Sequence, residues 1–329
     1  MGDTRRGTMV ISVDLELAWG RFDTMPVEVL EKESATERTH IRRLLTLLDE
    51  YEIPATWAMV GHLMLHGCAR NPDGVVHADV TPHAAYSWFP EDWYRYDPCT
   101  TASAAPGWYA PDILEWIRAA RVKHEIGSHS FAHIVYGDPE CAAAMAQADL
   151  RAAVEVASKE GLTLDSFVFP RNKIGHLDLL KAVGILAYRG DDPPHRTPHA
   201  PKVVRKLITV LDQVLGLSPR AVHAEEVLTG LWNIPGNHFY LPREGPFKML
   251  PIMSRVLKAK RGMRQAIRDG TLYHLWFHPF DLSADPDAIF WGLERIFAYA
   301  KRQREAGNLD ILTMREYALR LQRSKAWLN

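Results

Sequence analysis

Short β-rich runs alternate with amphipathic helical stretches along most of this chain, and that rhythm limits the fold more than any other feature. Residues 9–13 are β-rich, and the apolar positions Ile41, Leu44, Leu45 and Leu48 set a helix over 34–50. Further strands are expected at 55–60, 124–128, 166–169, 185–188, 272–277 and 309–312, and further helices at 112–120, 176–183 and 287–304. Pro139 opens a long alanine-rich helix that Gly161 ends, and a last helix starts at Thr313. Strands separated by helices make a parallel sheet with covering helices, either doubly wound or closed as a barrel. In such folds the working site lies at the C-terminal strand ends. Asp14, His129, Pro170, Arg171 and His278 all fall at expected strand ends, and polar residues from several ends favour a barrel mouth.

Two stretches break the rhythm. Residues 67–111 hold Tyr86, Trp88, Trp93, Tyr94, Tyr96, Trp108 and Tyr109 among prolines and glycines. A loop of that length is either a functional lid or a satellite core that buries its own aromatics. Residues 191–200, rich in Pro and His, read as an irregular connection.

Composition removes several function classes. Lys+Arg is 39 and Asp+Glu is 40, a net charge of −1, which argues against a nucleic-acid module and against electrostatic membrane binding. With 47% hydrophobic residues the chain can build a large core. No run approaches the roughly 18 apolar residues of a membrane span. Asp14 and Glu16 cut short the apolar run that follows Arg5 and Arg6, well below a signal-peptide core. Cys68, Cys99 and Cys141 are widely spaced, so neither a disulfide framework nor a cysteine zinc site is expected, and a cytoplasmic setting is.

The 15 histidines include four H-x-x-x-H pairs, where chance would give roughly one. Pro194 and Pro198 keep His195/His199 from being a regular helical pair. His274/His278 lies along a strand, which separates the two by about 13 Å. His62/His66 encloses only apolar residues and reads as two packed or partly exposed side chains. His129/His133 directly follows a strand. A helical turn starting near Ser128 would project both rings from one face, as ligands for a borderline metal such as zinc. A further ligand is needed, and Asp14 and Glu16, two apart at the end of the first strand, point to one side. Acids closing a buried strand are costly unless paired or metal-bound. One would ligate and the other accept a proton from water.

The segment Glu125-Ile126-Gly127-Ser128-His129-Ser130-Phe131-Ala132-His133 resembles the E-I-G-x-H-[ST]-x-x-H motif of the NodB-type polysaccharide deacetylases, carbohydrate esterase family 4. Leu275-Trp276-Phe277-His278 is similar to the family's L-x-x-H segment, and Ser12-Val13-Asp14-Leu15-Glu16 to its first acidic motif. The order and spacing agree over about 9–315, as one unit spanning 1–329 with an aromatic insertion at about 67–111. The resemblance implies a distorted (β/α)7 barrel and a metal-dependent hydrolase that removes N-acyl groups from an amino sugar or a sugar-containing intermediate. Where the family has two adjacent aspartates, this chain has Asp14-Leu15-Glu16; where it has R-x-P-Y, this chain has Phe167-Val168-Phe169-Pro170-Arg171-Asn172. Only Asp191 and Asp192 are candidates for its fourth motif.

On this reading Glu16, His129 and His133 hold a divalent metal, zinc being expected with cobalt or nickel as alternatives. Asp14 is the base, His278 the acid, and Arg171 orients Asp14 or grips an anionic substrate. Trp88, Trp93 and Asn172 contact the substrate. The expected partner is a small-molecule or oligosaccharide substrate, with no nucleic acid and no membrane span, and a homo-oligomer is compatible. Two alternatives stand beside it: an inactive sugar-binding barrel, and a hydrolase of small cyclic amides or ureides on the same fold.

Overall fold

The computed structural model describes residues 6–193 and 201–326, so the His195/His199 pair lies outside the described residues. Among these residues ten strands form one curled sheet: β1 (Gly7–Leu15), β2 (Thr56–Met59), β3 (Glu125–Ser128), β4 (Ser166–Val168), β5 (Ala187–Arg189), β6 (Glu225–Leu228), β7 (Leu231–Asn233), β8 (His238–Phe239), β9 (Leu272–Phe277) and β10 (Leu309–Leu312). Eight helices accompany them: α1 (Val27–Tyr51), α2 (Pro111–Ala119), α3 (Ala143–Lys159), α4 (Leu177–Ala182), α5 (Lys202–Leu215), α6 (Ile252–Asp269), α7 (Pro286–Glu305) and α8 (Met314–Ala326). No described helix is long and apolar enough to cross a membrane.

β1 is the hub. Every one of its residues is buried, as expected for a parallel strand covered on both faces. It runs parallel to β9 along one edge, and on the other to β10 through Gly7 to Val10 and then to β2 through Ser12 to Leu15. From β2 the parallel ladder continues through β3, β4 and β5.

Closure depends on the single segment 231–239. Its first part, β7, pairs with β5, and its last part, β8, pairs with β9. Between them Gly236 N still donates to Gly190 O, while Asn237 N already donates to His274 O. The sixth stave is thus shared, half against each neighbour. Counting β1, β2, β3, β4, β5, segment 231–239 and β9 gives the distorted (β/α)7 barrel, with β6 an antiparallel addition to β7 and β10 one beside β1.

Two differences from the sequence reading have clear causes. The first helix begins at Val27, directly after Pro26, whose backbone is extended; its first turns bury Ser34 and Glu37 beside Leu30, which thins the apolar stripe. Residues 201–270, read without elements, hold α5, β6, β7, β8 and α6. The buried face of α6 includes Arg255 and Lys258 beside Val256 and Met263, so basic side chains interrupt the periodic signal. Arg255 spends its donors on the carbonyls of Leu241, Pro242, Phe247 and Leu250.

No described helix or strand falls between Leu65 and Pro111. That stretch is the satellite core rather than a lid: Tyr86, Trp93, Tyr94, Trp108 and Tyr109 are all buried and merge with the barrel core.

Candidate active site

β1 delivers two carboxylates to the barrel mouth: Asp14 near its end, and Glu16 just beyond it, both buried. β3 ends at Ser128, and His129 and His133 follow. They are not on a helical turn, as the spacing suggested. Ser130 and His133 adopt left-handed backbone angles, φ 71° and 57°, which non-glycine residues rarely hold without support. The support is Asp149 of α3, whose carboxylate accepts from Ser130 Oγ, Phe131 N, Ala132 N and Tyr136 Oη. Burial pushes the Asp149 carboxyl up, against the pull of those donors.

The loop brings both imidazoles to one carboxylate oxygen. Glu16 Oε2 lies 3.2 Å from His129 Nε2 and 2.8 Å from His133 Nε2. His129 Nδ1 is 2.8 Å from the Val168 carbonyl, which fixes the proton there and leaves Nε2 bare. His133 Nε2, close as it is to Glu16, has no aligned hydrogen bond and is a buried polar atom without a partner. Bare nitrogens converging on a carboxylate are what a cation needs and what a buried site avoids otherwise. The two-nitrogen, one-oxygen donor set fits zinc and its neighbours. Burial raises the Glu16 carboxyl, and the adjoining His133 and His278 outweigh it, holding it well below the usual range.

Asp14 turns the other way. Both its oxygens are gripped at 2.6 Å by the guanidinium of Arg189, the last residue of β5. Burial would raise the Asp14 carboxyl; Arg189 more than offsets this and lowers it. Arg189 also donates to Ser12 Oγ at 3.0 Å and to Asn172 Oδ1 at 2.9 Å, and lies 4.2 Å above the Trp276 ring. The cation beside Asp14 is therefore Arg189 and not Arg171. Arg171 instead pairs with Asp23 and stacks 4.8 Å from Trp88, although it still lines the mouth.

His278 follows β9. Its Nδ1 lies 2.8 Å from Asp281 Oδ2, within a turn where Asp281 also accepts the His278 backbone N–H. Its Nε2 faces Asp14 at 3.7 Å and Glu16 at 3.8 Å. Burial alone would lower the imidazolium; the carboxylates of Glu16, Asp281 and Asp14 outweigh it and push the group up to about 9. Asp281 is therefore the carboxylate that holds His278. Asp192 accepts instead from Trp276 Nε1.

Asp14, Glu16, His129, His133, Arg171 and His278 line a cavity of ≈170 Å³ together with Gly20, Phe169, Asn172 and Trp276. That is room for a small functional group, while whole drug-sized ligands fill roughly 300 Å³ or more. Of the two indoles expected at the substrate, Trp93 is only 1% exposed and donates to the Ala132 carbonyl, so neither of its faces is open to a sugar. Trp88 is 41% exposed, stacked on Tyr86 and bonded to Asp138. Trp276 is the indole in the cavity wall. Arg189, Asp281 and Trp276 escaped the sequence reading. A buried acid at a strand end calls for a cation at another strand end, and a carboxylate three residues past a mouth histidine is an available signal.

No protein-family model matches the chain, and no curated protein matches it. Solved structures do. A protein assigned as a polysaccharide deacetylase from Mycobacterium smegmatis matches with a TM-score of 0.62 at 15% identity, over 99% of this chain and 93% of its own. Another assigned as a polysaccharide deacetylase, from Pseudomonas aeruginosa PAO1, gives 0.62 at 13%, covering 98% and 92%. Puue allantoinase gives 0.59 at 12%, covering 96% and 91%. In fold, this chain is a barrel of the polysaccharide deacetylase type.

Proposed function

We propose that the chain is a metal-dependent hydrolase that removes an N-acyl group, acetyl or formyl, from an amino sugar or a sugar-containing intermediate. The observation that carries this reading is the meeting of Glu16, His129 and His133 donor atoms in one small cavity that Asp14 and His278 also enter. Zinc suits the donor set, with cobalt or nickel as substitutes. A divalent cation there supplies Lewis acidity, lowering the pKa of water from about 15.7 toward roughly 7 and polarising a carbonyl.

The chain's own residues do the rest. Asp14 accepts the proton of the water that attacks the acyl carbon. Arg189 positions Asp14, presenting one orientation of the carboxylate. His278, held by Asp281, gives its Nε2 proton to the nitrogen as the C–N bond breaks, so that an amine leaves rather than an amide anion. Asn172 and Trp276 wall the space for the acyl group. With the acyl group in the cavity, the sugar would extend over the mouth near Arg171 and the exposed edge of Trp88.

The test is release of acetate or formate from N-acylated amino sugars by purified protein before and after chelation. Activity should vanish with the metal and return with zinc, cobalt or nickel. Undiminished turnover after complete metal removal would sink the reading. Asp14→Asn should keep the metal and lose turnover; a variant as active as the parent would remove Asp14 from the base role. The small cavity also suits the head of a cyclic amide or ureide, and Puue allantoinase shares the fold. Assaying such compounds beside the amino sugars separates the two.

A further inference from the structure

A second set of metal-type donors lies where the aromatic insertion meets the barrel. We infer that His62, Cys68, His77 and Asp97 form a closed, structural site for a zinc-class divalent cation, distinct from the cavity at the mouth. His62 stands in the 3-10 turn Gly61–Met64 after β2; the other three belong to the insertion.

Three donor atoms form a tight triangle. His62 Nε2 and His77 Nε2 are 3.0 Å apart, and Asp97 Oδ2 is 2.9 Å from the first and 2.8 Å from the second. Cys68 Sγ is 3.5 Å from the same oxygen. Around zinc, with bonds of ~2.0–2.1 Å to nitrogen, tetrahedral donors stand roughly 3.3 Å apart, close to these separations.

The surrounding bonds can free the inward atoms for a cation. His62 Nδ1 is 3.1 Å from the Trp108 carbonyl and 3.2 Å from Trp19 Nε1; in the tautomer that donates to the carbonyl, Nε2 presents a lone pair. Trp19 Nε1, at 3.3 Å, shares that carbonyl. Asp97 Oδ1 accepts from Cys99 N and Tyr109 Oη, which leaves Oδ2 for the cluster. A proton on His77 Nε2 joins that nitrogen to one or both of the other atoms. In the tautomer bonded to the Trp108 carbonyl, His62 Nε2 and Asp97 Oδ2 face each other at 2.9 Å with no proton between them, both side chains wholly out of contact with water. One cation satisfies every edge of the triangle and takes the Cys68 thiolate as its fourth ligand.

Four protein donors leave no open position, which marks a structural rather than a catalytic ion. Its work is to tie a long segment without helix or strand to the barrel, because metal binding free energy becomes folding free energy. It also supports the mouth from behind. Gly61 N and His62 N donate to the carbonyls of Ser130 and Phe131, and the Phe131 ring packs on both His62 and His77. Phe131 lies between His129 and His133 in the loop that carries them. An entry path exists: Cys68 and His77 line a ≈450 Å³ cavity with Arg151 and Glu155.

The spectrum of the cobalt-substituted full-length protein tests this. The mouth cluster contains no sulfur, so a near-ultraviolet thiolate-to-cobalt charge-transfer band reports the second site alone. The parent protein should show the band, Glu16→Gln should keep it, and Cys68→Ser should lose it. By elemental analysis the parent should hold two zinc ions per chain and His77→Ala one, with a lower melting temperature. If the mouth binds no metal, the content should fall instead from one to none while the parent keeps the band, so the two readings fail separately. Absence of the band from cobalt-replete parent protein, which needs no variant to fold, overturns the proposal. So does a metal content unchanged in folded His77→Ala.

Discussion

Replacing Arg189 by methionine separates two jobs of one side chain. Its guanidinium and the Asp14 carboxylate are 1% and 2% exposed and bond twice at 2.6 Å. Methionine fills similar volume without charge, so Asp14 would remain buried with no partner. Breaking a buried pair in this way costs ~3–5 kcal/mol. At about 1.5 °C per kcal/mol for a chain of 329 residues, the melting temperature should drop by roughly 4–7 °C. Adding Asp14→Asn to Arg189→Met removes the stranded charge and should recover about 2 kcal/mol or more, a coupling that a urea-melt double-mutant cycle measures. Arg189→Lys should fall between, because an ammonium cannot reproduce the two-point grip or reach both Ser12 and Asn172. Turnover of Arg189→Met should fall on the order of 100-fold, since a loosened base is a misplaced one. A methionine variant within ~1 kcal/mol of the parent, with no recovery from Asp14→Asn, would show that the two groups are not energetically coupled.

Three further predictions address neighbouring groups. Asp281→Asn should lower kcat by on the order of 10- to 100-fold with KM and metal content unchanged, as expected for a residue acting through His278; steady-state kinetics and elemental analysis check it. Asp149→Ala strands four donors of the 130–136 loop, so it should cost about 3 kcal/mol or more in a urea melt and weaken metal retention at least ~10-fold by competition with a chelator. Burial pushes Glu37 up to about 7 from 4.5, against the pull of Arg21. Its contribution to stability is therefore complete below about pH 4.5 and is lost as pH rises through 7. The melting temperature of Glu37→Gln relative to the parent should climb between pH 5 and pH 8, and a constant difference would contradict the shift.

The sequence showed the barrel where strands were apolar and ended in chemistry. β1, β3 and β9 are of this kind, and with them came Asp14, Glu16, His129, His133 and His278. It hid what depends on distant partners. Arg189 ends a strand of only three residues with no motif around it, yet it reaches Asp14 175 positions away. Spacing pairs His62 with His66, its neighbour in sequence, whereas its companions in the fold are Cys68, His77 and Asp97. The geometry of His129 and His133 was masked differently. A spacing of four suggests a helix, and only the Asp149 carboxylate, itself a residue of α3, explains why a left-handed loop wins. Trp93 illustrates the same limit: an aromatic in a loop looks like a platform until its own core is visible.

The divided sixth stave gives the Asp14–Arg189 pair a mechanical meaning. Segment 231–239 abandons β5 for β9 midway, so the wall there has a seam with few ladder bonds. Arg189 leaves from one side of that seam and grasps a carboxylate on β1, beyond the other. The bonds that aim the carboxylate are also a tie rod across the thinnest part of the staves. Stiffness of the shell and alignment of the reacting group are thus one property here, and a substitution that relaxes the first should blur the second.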